Sequence, residues 1–252
     1  MRFDILTIFP DLFTSPLQEG ILKKALEAGR IQVNLHNIRD WAADKHAMTD
    51  DRPFGGGEGM VMKPEPLAAC LRDVQADGRG RVVLLSPRGR SYDQQTAERL
   101  ARINKLILVC GRYEGVDERF RSLHVDEELS IGDYILTGGE LAAMVVVDSV
   151  TRLLPGVLGC ADSAAKDTFS CGLLKHGHYT RPREFAGLSV PEVLLSGDHA
   201  RIDEYRFLDS VRETLRNRPD LLSNVEFSAA EIKQLRQAGL LGEVRRVTDG
   251  VR

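Results

Sequence analysis

Two short apolar runs constrain the fold more than any other feature of the chain. Val82–Leu85 and Leu106–Val109 are each four consecutive aliphatic residues with polar neighbours. A strand that reads apolar throughout has no wet face, so it must lie in a sheet covered on both sides, the signature of parallel pairing. Strands are therefore expected over Arg81–Ser86 and Lys105–Cys110. Between them, Ser91-Tyr-Asp-Gln94 has the spacing of a capping box and predicts a helix to about Ile103. The same alternation surrounds this unit. Phe3–Phe9 reads as a strand, Pro16–Ala28 as a helix stopped by Gly29, and Ile31–His36 as a half-buried strand. A further helix is expected from Gly139–Glu140 to Leu153. Strand and helix alternating in this way predict an α/β domain built on a parallel sheet.

The second part of the chain differs in character. Residues 161–170 are small and polar and read as a linker. Beyond them Ile202, Tyr205, Leu208, Val211 and Leu215 fall on one helical face, and Ser228-Ala-Ala-Glu231 opens another helix. The expected division is 1–160, an interdomain linker 161–172, and a small, mostly helical domain 173–252, which suits a chain of 252 residues.

Charge and cysteine usage narrow the function classes. The chain has 34 Lys+Arg against 37 Asp+Glu, net -3. With a pI near 6.1 it is not a generally basic coat for nucleic acid. Residues 161–252 carry 14 charges of each sign, so the acidity belongs to the first part, and a local basic patch in the second is allowed. Cys70, Cys110, Cys160 and Cys171 contain no Cys-x-x-Cys pair, which suits buried thiols in a reducing compartment better than structural zinc or a disulfide framework. The first ten residues, interrupted by Asp4, do not read as a signal peptide, and the apolar stretch Leu141–Val147 is far below a membrane span. A cytoplasmic protein with no membrane association is expected.

Three glycine-bearing segments stand where ligands of open α/β sheets bind, outside the carboxyl ends of strands. Ser86-Pro-Arg-Gly89 and Gly111-Arg-Tyr-Glu-Gly115 each follow a predicted strand, and Ile131–Gly139 precedes a predicted helix. The chain has no Gly-x-x-x-x-Gly-Lys-Ser/Thr and no Gly-x-Gly-x-x-Gly after its first strand, so neither a P-loop nor a dinucleotide half is present. The loops also lack a concentration of Lys or Arg. A ligand held mainly by backbone groups, such as a neutral adenosine with a zwitterionic tail, fits them. Asp50–Met60 is the densest glycine cluster and reads either as a surface loop or as a backbone-rich lid against a large polar partner. His176-Gly-His-Tyr-Thr-Arg-Pro182 mixes rings with an arginine. It has no third metal ligand at suitable spacing, so contact with nucleic acid is its more natural use.

These segments carry a resemblance. The chain is similar, over nearly its whole length, to the bacterial tRNA (guanine-N1)-methyltransferases of the SPOUT class. The matching blocks include Phe9-Pro-Asp-Leu-Phe13, Asp51-Arg-Pro-Phe-Gly-Gly-Gly57, Leu85-Ser-Pro87, Leu108–Gly115, Ser130-Ile-Gly-Asp-Tyr134, Gly138-Gly-Glu140, Pro155–Gly159, His178-Tyr-Thr-Arg-Pro182 and Val193–Gly197. The chain departs from the family pattern at Glu58, where a small residue or proline is usual, at Phe54, where tyrosine is common, and at Ala142, where some members have proline.

The resemblance implies a parallel sheet whose ligand-binding end is tied in a deep trefoil knot, a feature that general connection rules would reject. It also implies an obligate homodimer with active sites at the subunit interface, acting on N1 of guanosine 37 of tRNA, next to the anticodon. Carried over residue by residue, S-adenosyl-L-methionine (AdoMet) is expected against Leu84, Ser86, Gly111, Tyr113, Ile131, Gly132, Asp133, Tyr134, Ile135, Leu136, Gly138 and Gly139. Asp167 falls at the general-base position, Arg152 at the position of an arginine that polarises the guanine O6, and Glu114 at a carboxylate near the reaction centre. Mg²⁺ is expected near Glu114 and Asp167. Contacts to tRNA are expected from His46, Asp50, Gly57, Gly59, His178, Arg181, Ser196 and Gly197. Two alternatives stay open on sequence: a knotted RNA-binding module without catalysis, and a related enzyme that methylates ribose hydroxyls.

Overall fold

The two apolar runs lie in the middle of a five-stranded sheet. The structure is a computed structural model describing residues 1–159, 167–169 and 172–249. Its sheet has the order β2-β1-β6-β5-β7, where β1 is Arg2–Thr7, β2 Gln32–Asn37, β5 Arg81–Ser91, β6 Lys105–Cys110 and β7 Glu127–Ser130. All four pairings are parallel, with Ile5 opposite Leu108 and Val83 also opposite Leu108. A two-stranded antiparallel ladder, β3 (Asp50–Asp51) with β4 (Val61–Met62), stands apart from the sheet.

Alternation along the strands feeds two cores. Phe3, Ile5, Val83, Leu85, Leu106 and Leu108 face α2 (Gly20–Glu27), α4 (Gln94–Leu100) and α6 (Glu140–Thr151). Leu6, Val82, Leu84, Ile107 and Val109 face α3 (Pro64–Val74) and α5 (Glu118–His124). Covering both faces satisfies the aliphatic runs, and it is the reason they carry no polar alternation.

Local chemistry moves several expected boundaries. Strand β1 stops at Thr7 because the Thr7 hydroxyl accepts from the Phe9 N–H at 3.0 Å and Pro10 opens a 3₁₀ turn. The helix expected over Pro16–Ala28 is two, α1 (Thr14–Leu17) and α2, interrupted where Gly20 takes φ 62°. Strand β5 runs on to Ser91, so the expected loop Ser86–Gly89 is an irregular continuation of the strand. After a register shift Arg90 and Ser91 pair with Leu129 and Ser130 of β7. Gly89 permits this, because a Cβ there would lie 2.4 Å from the Leu129 nitrogen. Ser91 is thus in a strand, and the cap of α4 is Asp93, whose carboxylate accepts from the Thr96 N–H at 2.8 Å.

The chain divides into two compact units, Met1–Ala161 and Asp162–Arg252. Most of the expected linker 161–172 lies outside the described residues, as do Cys160 and Cys171. In the second unit, helices Glu192–Leu195, His199–Asn217, Ala229–Gln237 and Leu241–Asp249 accompany a short hairpin, Glu184–Phe185 with Leu188–Ser189. Its core gathers Leu173, Val211, Leu222, Leu235 and Val244. Ser228 and Glu231 form the expected capping box. Among the described residues, no helix is long and apolar enough to cross a membrane.

Candidate active site

A cleft opens at the carboxyl ends of β5, β6 and β7, where parallel strands point their last carbonyls and the following loops converge. Its walls are built from three loop segments. They come from residues 84–88 at the bulge of β5, 111–116 after β6, and 128–139 leading from β7 toward α6. The third wall returns across the sheet. The Gly139 N–H donates to the Gly111 carbonyl at 2.9 Å, and Arg112 and Gly138 form an antiparallel bridge. A Cβ on Gly139 would come within 2.8 Å of the Cys110 Cα, so the crossing is possible only for glycine.

A buried polar cluster fixes that crossing. Glu140, the first residue of α6, is 1% exposed. One carboxylate oxygen accepts from the Thr7 hydroxyl at 2.8 Å and the other from Arg112 Nε at 3.0 Å. The Arg112 guanidinium lies over the Phe9 ring at 4.4 Å, and its side chain fills the space where Gly138 would carry a Cβ. Thus the end of β1, the loop after β6 and the start of α6 are joined through one carboxylate. Burial, with Glu140 adding to it, pushes the neighbouring Cys110 thiol well above its ordinary value.

The electrostatics restrict the ligand. Three arginines line the cleft, and each faces a carboxylate. Arg112 holds Glu140, Arg121 holds Glu118 and Glu128, and Arg88 reaches Glu118 at 3.4 Å. The pairing with Glu118 and then Glu128 raises Arg121 above the usual arginine range, and Arg121 in turn lowers Glu118. Arginines already bound to carboxylates are poor partners for a polyphosphate. Backbone amides and carbonyls, with the Ser86, Ser130 and Thr137 side chains, suit a neutral nucleoside instead.

The glycine-rich segment is rooted beside this cleft. The Glu114 N–H donates to the Met60 carbonyl at 2.9 Å, and the Met62 N–H to the Gly115 carbonyl at 2.9 Å. Gly59 lies directly against Glu114, where a Cβ would meet Oε1 at 2.6 Å. Beyond this root Gly55, Gly56 and Gly57 all take positive φ, and Phe54 stands 99% exposed.

The residues singled out on sequence distribute as follows. Leu84, Ser86, Gly111, Tyr113, Ile131, Gly132, Tyr134, Ile135, Leu136, Gly138 and Gly139 line the cleft, with Glu114 beside them; Asp133 is exposed and does not. Arg152, half-buried at the C-terminal end of α6, is also not part of the lining. His46, Gly57 and Gly59 are exposed, and Asp50 pairs with Met62 in the β3–β4 ladder. Asp167 lies in the second unit, where its carboxylate accepts from Lys175 Nζ at 2.9 Å. In that unit His178 stacks on His176 with ring centres 4.5 Å apart, and both line a hollow with Arg181, Arg183 and Arg206. Ser196 and Gly197 are exposed just before the helix His199–Asn217. Sequence reasoning, which marked the loops Ser86–Gly89, Gly111–Gly115 and Ile131–Gly139, missed Val116 and Ala142 close beyond them. It also missed Arg121 and Glu128, which no spacing rule marks. Among the described residues no three His, Cys, Asp or Glu side chains gather as a metal site.

A family model described as tRNA (Guanine-1)-methyltransferase TrmD matches residues 1–224. The chain belongs to this family. The match covers the whole first unit and continues through Asp167 and the helix His199–Asn217, leaving only the last two helices beyond it. Similar proteins of the same name span nearly all of the chain. The tRNA (guanine-N(1)-)-methyltransferase of Geotalea uraniireducens (strain Rf4) is 57% identical over 238 residues, covering 94% of this chain and 96% of that protein. The protein of that name from Desulfitobacterium hafniense (strain Y51) is 55% identical over 238 residues, 94% of this chain and 90% of its own. That from Chloroflexus aggregans is 54% identical over 245 residues, 96% and 95% respectively.

Proposed function

We propose that this protein methylates N1 of guanosine 37 in tRNA, next to the anticodon, using AdoMet. The observation that carries the reading is the glycine-bearing cleft at the carboxyl ends of β5, β6 and β7, where Arg112 and Arg121 are held by Glu140, Glu118 and Glu128, in a chain of the tRNA (guanine-1)-methyltransferase family. Such a cleft suits adenine and ribose and gives no advantage to phosphates. Gly111, Gly138 and Gly139, with Leu84, Ser86 and the strip Ile131–Leu136, would hold the cofactor. When bound, AdoMet supplies a methyl group on a positively charged sulfur.

The protein's own task is to make guanine N1 a nucleophile. N1 carries a proton at neutral pH, and its lone pair becomes available only as that proton leaves. Asp167 takes the proton; an ordinary aspartate, with a pKa of about 3.9, is ionised at pH 7 and able to accept it. Arg152 donates to O6, where the negative charge collects as N1 loses its proton. Lys175, at 2.9 Å from Asp167, orients the carboxylate. Glu114, which lines the cleft, would be the further carboxylate near the reaction centre. Mg²⁺ keeps most of its water and needs only one or two carboxylates, which Glu114 or Asp167 would supply; no step is routed through it.

The same reading extends to architecture. The chain crosses from β7 at one edge of the sheet back over β6 to Gly139, and that path is consistent with a trefoil knot around the cleft. Leu141 and Val145 on α6 are 53% and 43% exposed and Ile135 is 81% exposed, an apolar surface that a second copy would cover in a homodimer. Residues 1–160 would then form the AdoMet domain and 173–252 the tRNA-binding domain. In the latter, Arg181, Arg183 and Arg206 supply positive charge beside the stacked His176 and His178. The enzyme works in the cytoplasm on tRNA partners.

The test is transfer of label from AdoMet to an unmodified tRNA with guanosines at positions 36 and 37, followed by digestion to identify the nucleoside. Wild type should give N1-methylguanosine. Asp167→Ala should slow transfer by about 10²–10⁴-fold, the worth of a positioned general base. No transfer by wild type, or undiminished transfer by Asp167→Ala, defeats the reading.

A further inference from the structure

Among the described residues Phe54 is the most exposed large apolar side chain, at 99%. The segment's root is fully accounted for by the β3–β4 ladder, by Met60 and Met62 bonded to the loop after β6, and by Gly59 against Glu114. Its apex is different. Gly55, Gly56 and Gly57 have φ of 85°, 78° and 120°, yet a Cβ on any of them would meet nothing within 4 Å. The glycines therefore do not make room for the protein's own atoms. They shape a stretch of bare backbone beside an unburied aromatic ring, on a stem fastened to the wall of the cleft.

Bare backbone and an exposed ring fit a flat partner that lies on the ring while its edge approaches main-chain groups. An unpaired nucleobase has that form. The charges agree. Asp50, Asp51 and Glu58 outnumber Arg52 along the segment, so it repels a phosphate backbone and leaves the base as the part of an RNA that it can accept. We propose that Phe54 is a stacking platform for an unpaired base of the RNA substrate, close to the nucleotide that enters the cleft. This rests on the tRNA reading above and adds a specific binding residue to it.

The experiment compares wild type with Phe54→Ala, Phe54→Leu and Phe54→Tyr, measuring KM for tRNA and for AdoMet, equilibrium binding of tRNA, and oligomeric state. Phe54→Ala is expected to weaken tRNA binding by about 5- to 150-fold, the range for one stacked base, and to leave KM for AdoMet unchanged. Phe54→Tyr should restore the affinity and Phe54→Leu should not, because leucine keeps the apolar surface without the π face. Unchanged tRNA affinity in Phe54→Ala overturns the proposal. So does full rescue by leucine, which would indicate a merely apolar contact, or a change of oligomeric state, which would make a second copy the occupant. Wild type binding tRNA without methylating it would instead defeat the functional reading, and the affinity comparison would still decide the role of Phe54.

Discussion

Removing the Glu140 carboxylate should damage the fold and the cleft together, and the size of the effect can be worked from its contacts. Glu140 is 1% exposed and accepts two hydrogen bonds, one from the Thr7 hydroxyl and one from the Arg112 guanidinium, whose side chain is 16% exposed. In Glu140→Gln one oxygen survives, the shape is kept, and the charge is lost. A hydrogen bond to a charged group contributes about 1.5–3 kcal/mol, so a loss of roughly 2–3 kcal/mol is expected. In Glu140→Ala the guanidinium is left without its partner in a mostly dry site, and a loss of about 3–5 kcal/mol is expected. Against a total of roughly 5–15 kcal/mol, either is a large fraction. The assay is urea unfolding followed by fluorescence. Trp41 is the single tryptophan of the chain and lies in the first unit, so its signal follows the unit that contains Glu140. Replacing Arg112 and Glu140 together by methionine should cost less than the sum of the single changes, because neither charge is then left alone. A Glu140→Ala loss below about 1 kcal/mol, or a strictly additive double variant, would refute the account of this cluster as the tie that holds the cleft.

Three further outcomes follow from the first unit. Gly139→Ala sets a Cβ 2.8 Å from the Cys110 Cα and 3.1 Å from the Gly111 nitrogen. Backbone must shift, at a cost of roughly 1–3 kcal/mol, and calorimetry should show AdoMet binding weakened at least tenfold; unaltered binding would mean that the crossing is not part of the site. Burial, with help from Asp73, Asp40 and Asp4, pushes the Cys70 thiol up to about 12, and burial raises Cys110 as well. At pH 8 a thiol reagent should therefore leave the peptides containing Cys70 and Cys110 unlabelled until denaturant is added. The sign for stability follows. The folded state keeps the Cys70 proton after the unfolded thiol, with a pKa of about 8.5, has released it, so stability falls as pH rises from about 8.5 toward 12. Cys70→Ala should flatten that alkaline decline, and rapid native labelling of Cys70 at pH 8 would contradict its burial.

The sheet was legible because burial on both faces writes itself as unbroken aliphatic runs, and β6 begins and ends where its run predicts. The cleft was legible because glycines stand where β6 ends and where α6 begins. What could not be read was the continuation of β5 past Ser86. That depends on pairing with β7, about 40 residues away, and on a steric fit at Gly89 that no local pattern announces. The start of α4 shows a different kind of failure. Ser91 and Asp93 are both good caps, and the choice between them is made by Ser91 being drawn into the sheet opposite Ser130. Glu140 was visible only as the end of a Gly-Gly-Glu motif. Its partners Thr7 and Arg112 are brought to it by the fold, so its burial and its role in shaping the cleft had no signal in the sequence. The exposure of Phe54 was equally hidden, since an aromatic among glycines reads the same whether it is covered or bare.

The bond between Thr7 and Glu140 spans 133 residues, and that distance has a meaning during synthesis. At about 5–20 residues per second, the hydroxyl waits roughly 7–27 s after it is made before the carboxylate even exists. For most of that interval β1 lacks β6 (Lys105–Cys110) beside it, and for all of it α6 is missing. The nascent protein therefore passes through a stage in which its first strand and first helices are present, but the ligand-binding end cannot be. Truncation before β7 should yield chains that lack the third wall of the cleft altogether, and truncation just before Glu140 chains that have the wall but not the carboxylate that ties it to β1, so acquisition of ligand binding would mark completion of the first unit.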